Sequence, residues 1–121
     1  MKTLQVSWLR GPGDNVVLAR YVELADSFFS RAKGLLGRSS LPPQSGLLIR
    51  PCNSIHTFFM QFAIDVLFLD GQGQVLKIQR NLVPWRLVWP VWRAVQVLEL
   101  PAHTIPEDLP LMARLDLCIN S

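Results

Sequence analysis

Phe62-Ala63-Ile64-Asp65-Val66-Leu67-Phe68-Leu69, followed by Asp70-Gly71-Gln72-Gly73, is the stretch from which the fold is read. Alternate residues of an extended chain face opposite sides. Phe62, Ile64, Val66 and Phe68 then share one face, and Ala63, Asp65, Leu67 and Leu69 the other. Both faces are largely apolar, so the strand belongs in the middle of a sheet that is covered on both sides. Asp-Gly supplies the positive φ that a hairpin turn needs, so residues 70–73 read as the turn and Val75 to Gln79 as the returning strand. Asp65 is the anomaly in the run, because a buried carboxylate needs partners.

Working outward, Leu47-Leu48-Ile49 reads as a short buried strand closed by Pro51, and residues 54–59 as strand or extended loop. Near the N-terminus, Leu4, Val6 and Trp8 alternate with polar neighbours, which predicts a strand over 3–9. Val16 to Leu24 reads as a second strand, joined to the first by a somewhat long turn over Gly11 to Asn15. The period then changes to helical across Phe28, Phe29, Ala32, Leu35 and Leu36. Asp26 or Ser27 is the expected cap and Gly37 the expected stop. Gly34 inside the segment costs roughly 1 kcal/mol against Ala, which predicts a short or irregular helix. Downstream, Pro84 to Pro90 reads as loop and Ala94 to Leu100 as strand. Three prolines from Pro101 to Pro110 leave room only for short turns or a single helical turn. Arg114 to Ile119 closes the sheet. Many short strands and one helix make an α+β fold, mostly β: a small, strongly curved, barrel-like sheet with one short helix.

At 121 residues the chain is expected to be a single domain spanning 1–121. Half of its residues are hydrophobic, enough for a core without metal or disulfide staples. No apolar run is long and unbroken enough to span a bilayer, and Met1 to Arg10 lacks a secretory h-region. The expectation is a cytoplasmic protein whose cysteines, Cys52 and Cys118, are free thiols. A net charge of +3 is too small to point to nucleic acid. Its distribution says more. Between Ser27 and Ile64 there is no acid but Arg31, Lys33, Arg38 and Arg50; between Gly71 and Leu98 there is none but Lys77, Arg80, Arg86 and Arg93. If these two segments meet, they form a basic face suited to an anionic partner.

Three blocks carry a family resemblance. They are Arg31-Ala32-Lys33-Gly34-Leu35-Leu36-Gly37-Arg38 with Leu41; Gly46-Leu47-Leu48-Ile49 through Cys52-Asn53-Ser54-Ile55-His56-Thr57 and Met60 to Ile64-Asp65-Val66 and Phe68-Leu69-Asp70; and Val97-Leu98-Glu99-Leu100-Pro101. On these the chain resembles the domain of unknown function 192 family. The resemblance implies a compact, mostly β domain with a short helix, and brings no function. The chain departs from the family's pattern after Pro101-Ala102, where a glycine is usual and His103-Thr104 stands here. A Gly-Asp turn usual further on is replaced by Glu107-Asp108-Leu109-Pro110. The closing turn is therefore expected to differ in shape.

Cys52, His56 and Asp65 invite a nucleophilic reading, with a thiolate activated by an imidazole that a carboxylate orients. On a straight strand Cys52 and His56 would lie roughly 13 Å apart at about 3.3 Å per residue, so the chain must turn between them. The competing reading is a structural thiol, a backbone-bonded histidine and an aspartate that ties down a loop. Asp65 itself is read first as such a latch and second as a ligand anchor. Cys52, His56, His103, Asp65 and Cys118 show no metal-site spacing, so no metal or cofactor is expected. Trp85-Arg86-Leu87-Val88-Trp89-Pro90-Val91-Trp92-Arg93 presents aromatics beside arginines, suited to stacking, to a protein partner or to a membrane interface. Rings that cap an open end of the sheet are the plain alternative.

The leading expectation is a small non-enzymatic binding or accessory domain. Its site would lie where the Cys52–Met60 segment meets the Arg80–Arg93 loop. His56, Thr57 and Asp65 would make polar contacts, Trp85 and Trp89 would stack, and Arg86 would supply charge. The ligand would be a small molecule, a glycan or a protein. A hydrolase or transferase using Cys52 or His56 with Asp65, and a peripheral membrane domain, are the alternatives.

Overall fold

The computed structural model describes residues 3–120, with backbone only for Phe28 and Phe29, so their place in the helical pattern lies outside the described side chains. Nine strands and one helix make a mostly β architecture among these residues. β1 (Thr3–Gly11) and β2 (Asp14–Ala25) form an antiparallel hairpin. The connection is tighter than expected: Gly11 pairs with Asp14, and Pro12-Gly13 alone make the turn, with Gly13 at φ 68°. Register shifts after Leu4, Val6 and Leu9 bend the hairpin.

β2 runs into α1 (Phe28–Lys33). Ser27 is the cap, with a reciprocal pair in which its hydroxyl accepts from the Ser30 amide and the Ser30 hydroxyl accepts from the Ser27 amide. The helix stops at Gly34, not Gly37. Gly34 takes φ 49° and its amide donates to Ser30 O at 3.0 Å, ending the helix within two turns. The chain returns as β3 (Ser45–Ile49), parallel to β2.

After β3 come β4 (Ile55–His56), β5 (Ile64–Leu69), β6 (Val75–Leu82), β7 (Leu87–Val88), β8 (Gln96–Pro101) and β9 (Leu115–Ile119). Seven strands form one sheet in the order β6-β5-β8-β3-β2-β1-β9, while β4 and β7 pair separately. β5 is central, antiparallel to β6 on one side and β8 on the other, and every residue of it is buried. The expected barrel is not closed. β6 and β9 are the two edges, and one bridge, Gln74 to Arg114, joins them in place of a ladder.

The sheet separates two cores. Leu48, Leu67, Leu98 and Leu100 pack with the hairpin and with Ile105 and Leu109 of the proline-rich segment. On the other face Leu47, Val66, Phe68 and Val97 pack under Leu35, Leu41, Ile55, Met60 and Val88. That face is therefore roofed by the turns after α1 and by the small β4–β7 sheet. Gly46 lets β3 and β8 approach: a Cβ there would stand 2.7 Å from the Glu99 carbonyl oxygen and 2.9 Å from Leu100 Cδ2.

Candidate functional site

The β4–β7 pair is a flap laid over the second core. Ile55 and Val88 face inward and are buried, while their strand neighbours His56 and Leu87, paired with each other, are exposed. Thr57 rivets the flap. It is fully buried, its hydroxyl donates to Val83 O at 2.7 Å and accepts from the Arg86 amide at 2.9 Å, and its own amide donates to Arg86 O at 2.8 Å. The Trp85 amide returns a bond to Thr57 O at 3.0 Å, and the Val91 amide reaches Asn53 O at 2.8 Å. The Cys52–Met60 and Arg80–Arg93 segments thus do meet, and neither contains an acid.

Beyond the rivet the flap shows a chain of rings. His56 stacks on Phe58 at 4.9 Å, Phe58 lies 6.1 Å from Trp85, and Trp85 lies 4.6 Å from Phe59. Trp85 is 56% exposed, Phe59 71%, Trp89 76% and Trp92 84%. Arg86 and Arg93 are exposed beside them. Phe59, Trp85 and Arg93 hold left-handed backbone, at φ 66°, 67° and 68°. Bulky residues cost about 1–2 kcal/mol each in that region, and the hydrogen bonds through Thr57 hold two of these turns in place.

Under the flap lies a cavity of about 180 Å³ between α1 and residues 51–56. Arg31 and Lys33 line it from the helix side, Cys52, Ser54 and His56 from the other, and Glu99 from the sheet. Glu99 is 4% exposed and makes no side-chain hydrogen bond among the described residues. Burial alone pushes its carboxyl up to about 7. The Cys52 thiol donates to Ser54 O at 3.0 Å. Burial pushes that thiol up; Glu99 adds to the rise, and the Ser54 backbone and Arg31 offset part of it. A protonated thiol is a weak nucleophile.

Asp65 is elsewhere. It points to the first core, sharing a face with Leu67 and Leu69, and is 1% exposed. Its Oδ1 accepts from the Asn81 amide at 2.8 Å, and its Oδ2 from Thr104 at 2.9 Å and Ile105 at 3.0 Å. Of the residues singled out in the sequence, the structure brings His56, Trp85, Arg86 and Trp89 to the flap and seals Thr57 beneath it. It leaves Asp65 across the sheet, so the Cys52–His56–Asp65 constellation is not assembled. The carboxyl group that does share a cavity with Cys52 and His56 is Glu99. Its signal was available: an acid inside Val97-Leu98-Glu99-Leu100 is as anomalous as Asp65 in its own strand. Among the described residues no three His, Cys, Asp or Glu side chains converge on a metal position, and no helix is long and apolar enough to cross a membrane.

An open mixed sheet with one crossover helix and a small flap is a fold with solved counterparts. A candidate transcription regulator from Sinorhizobium meliloti 1021 superposes with a TM-score of 0.78 at 26% identity, over 95% of this chain and 93% of that one. A protein of unknown function from Novosphingobium aromaticivorans shares the fold with a TM-score of 0.77 at 21% identity, over 93% and 83%. This chain belongs to the domain of unknown function 192 family, described as an uncharacterized ACR, which it matches over residues 12–108. A UPF0127 protein of Pyrococcus horikoshii is 40% identical over 85 residues, 66% of this chain and 71% of the relative. One of Pyrococcus abyssi is 39% identical over 66% of this chain and 70% of its own length. These names assign no activity, and the protein is an uncharacterised member of its family.

Proposed function

We propose that this protein is a non-enzymatic binding domain that docks through the outer face of the β4–β7 flap on an anionic phospholipid surface. The observation that carries this reading is the composition of that face. Trp85, Leu87, Trp89, Trp92 and Phe59 are exposed together with Arg86 and Arg93, on segments without a single acid. Apolar groups left in water on one side of a small domain mark a contact surface. Tryptophan favours the lipid–water boundary, and arginine complements lipid phosphates. A single-stranded nucleic acid would use the rings and the arginines, but not Leu87. Two arginines are also few for tracking a phosphate backbone. The riveted flap suits docking, since a preformed surface loses little entropy on contact.

The rings should outweigh the charges. An arginine near an anionic leaflet contributes about 1 kcal/mol, whereas burying a large aromatic contributes about 2–3 kcal/mol. Co-sedimentation with vesicles of phosphatidylserine and phosphatidylcholine tests this. Binding is expected to fall at least tenfold in Trp89→Ala and about fivefold in Arg86→Ala, and to be weak on phosphatidylcholine alone. Equal recovery with and without vesicles, or unchanged binding by Trp89→Ala, sinks the reading. So does capture by an oligonucleotide in place of vesicles.

A further inference from the structure

The cavity on the inner side of the flap lies apart from the tryptophans of the outer face. Glu99 on β8 has Leu47 of β3 and Val66 of β5 as register partners, both buried and apolar. A carboxyl group placed there without a hydrogen-bond partner is costly. Gln96 Oε1 is also without a partner, but it is walled in, whereas the Glu99 side chain lines an open cavity. Leu35, Ile49 and Met60 form apolar parts of the surrounding wall, Ser54 and His56 polar parts, and the cations Arg31 and Lys33 stand on the helix side.

These features select a ligand chemistry. A carboxylate whose two strand neighbours are apolar, and which is the one acid of the cavity lining, is matched by an ammonium group, which brings both charge and several donors. A bare cation would be opposed by Arg31 and Lys33; a molecule that also carries an anionic group turns that opposition into attraction. At about 180 Å³ the cavity is smaller than the roughly 300–1,000 Å³ of drug-sized pockets, so a nucleotide is too large. We propose that the cavity binds a small zwitterion of amino-acid size, with its ammonium group on Glu99 and its anionic group toward Arg31.

The test is calorimetric and thermal-shift titration of the full chain with the common L-amino acids, with ethylamine and acetate as single-charge controls. At least one amino acid is expected to raise Tm and to bind ten times more tightly than either control. Glu99→Gln should weaken that binding at least tenfold, and Trp89→Ala should leave it unchanged, which separates this site from the outer face. In the natural sequence, the bound amino acid should slow alkylation of Cys52 by N-ethylmaleimide several-fold while Cys118, exposed on β9, reacts as before. That measurement stands even where the Glu99 variant fails to fold. Binding by none of the amino acids, undiminished binding by Glu99→Gln, or an unchanged Cys52 rate at saturation overturns the proposal.

Discussion

Asp65 and Glu99 stand on neighbouring central strands one register step apart, for Asp65 pairs with Leu100 and Val66 with Glu99. Both are buried acids in apolar runs, and a sequence treats them alike. The sheet sends them to opposite faces. Asp65 receives three backbone amides, one from Asn81 near the end of β6 and two from the segment after β8, and ties the two together. Among the described residues Glu99 receives none, and it borders a cavity. The difference teaches how to sort buried charge: a carboxylate whose lone pairs are taken by the backbone is architecture, and one left bare beside open space is where a ligand's donors fit.

The largest expected effect lies on the Asp65 side. Hydrogen bonds to a charged group contribute about 1.5–3 kcal/mol each, and removal leaves buried donors without partners. Asp65→Ala should therefore lose about 5 kcal/mol, near the low end for three such bonds, in urea unfolding. A loss below about 1 kcal/mol would mean that these amides find other partners and that Asp65 is no latch.

Glu99 should behave in the opposite sense. Its value in the fold, about 7, lies above the ordinary 4.5, so the unfolded chain gives up its proton first. Stability therefore falls as pH rises from about 5 through 7, and the full cost stands above that. The gap corresponds to roughly 3 kcal/mol. Glu99→Gln should match the natural protein near pH 5 and exceed it by that amount at pH 8. Arg31 and Lys33 on α1 and Cys52 and His56 across the cavity also carry charge or titrate. The comparison at two pH values isolates Glu99 from them. Parallel stability curves for the two proteins would show that Glu99 is not the titrating group.

A smaller effect sharpens the Asp65 side again. His103 takes φ 67°, a left-handed conformation that favours glycine, just before the amides of Thr104 and Ile105 that Asp65 holds. A non-glycine residue costs about 1–2 kcal/mol there. His103→Gly should raise stability by about 1 kcal/mol in thermal or urea unfolding, and a loss would mean that the imidazole makes a compensating contact.

The parts of the fold that rest on period were legible in the sequence. β5 and β8 follow from alternation and the turn at 70–73 from its residues, although Gly73 and not Gly71 takes the positive φ; local chemistry narrowed the helix cap to Asp26 or Ser27, of which Ser27 serves. The early helix stop was less so, since Gly34 and Gly37 both qualify until the Gly34 amide is seen to close on Ser30. Closure of the sheet was not legible, because edge pairing depends on bulges and on long-range register. At the site, the segments were anticipated but the roles were not. Thr57 looked like a ligand contact and is a rivet, because its partners, Val83 and Arg86, lie 26 and 29 residues away. Glu99 entered the sequence reading only as part of a resemblance, since nothing local says which face of β8 meets a cavity.

The single bridge between Gln74 and Arg114 has a consequence for solubility. Around it the Val75 amide donates to Ala113 O, the Met112 amide to Val75 O and the Leu115 amide to Gly73 O, at 2.9, 2.7 and 2.9 Å. At that end each edge strand occupies the other's free backbone groups. Neither can there template a strand from a second molecule, which is the ordinary route to edge-to-edge aggregation. The stretch of β6 beyond the seam carries Lys77 and Arg80, and like charges repel a second copy of the same edge.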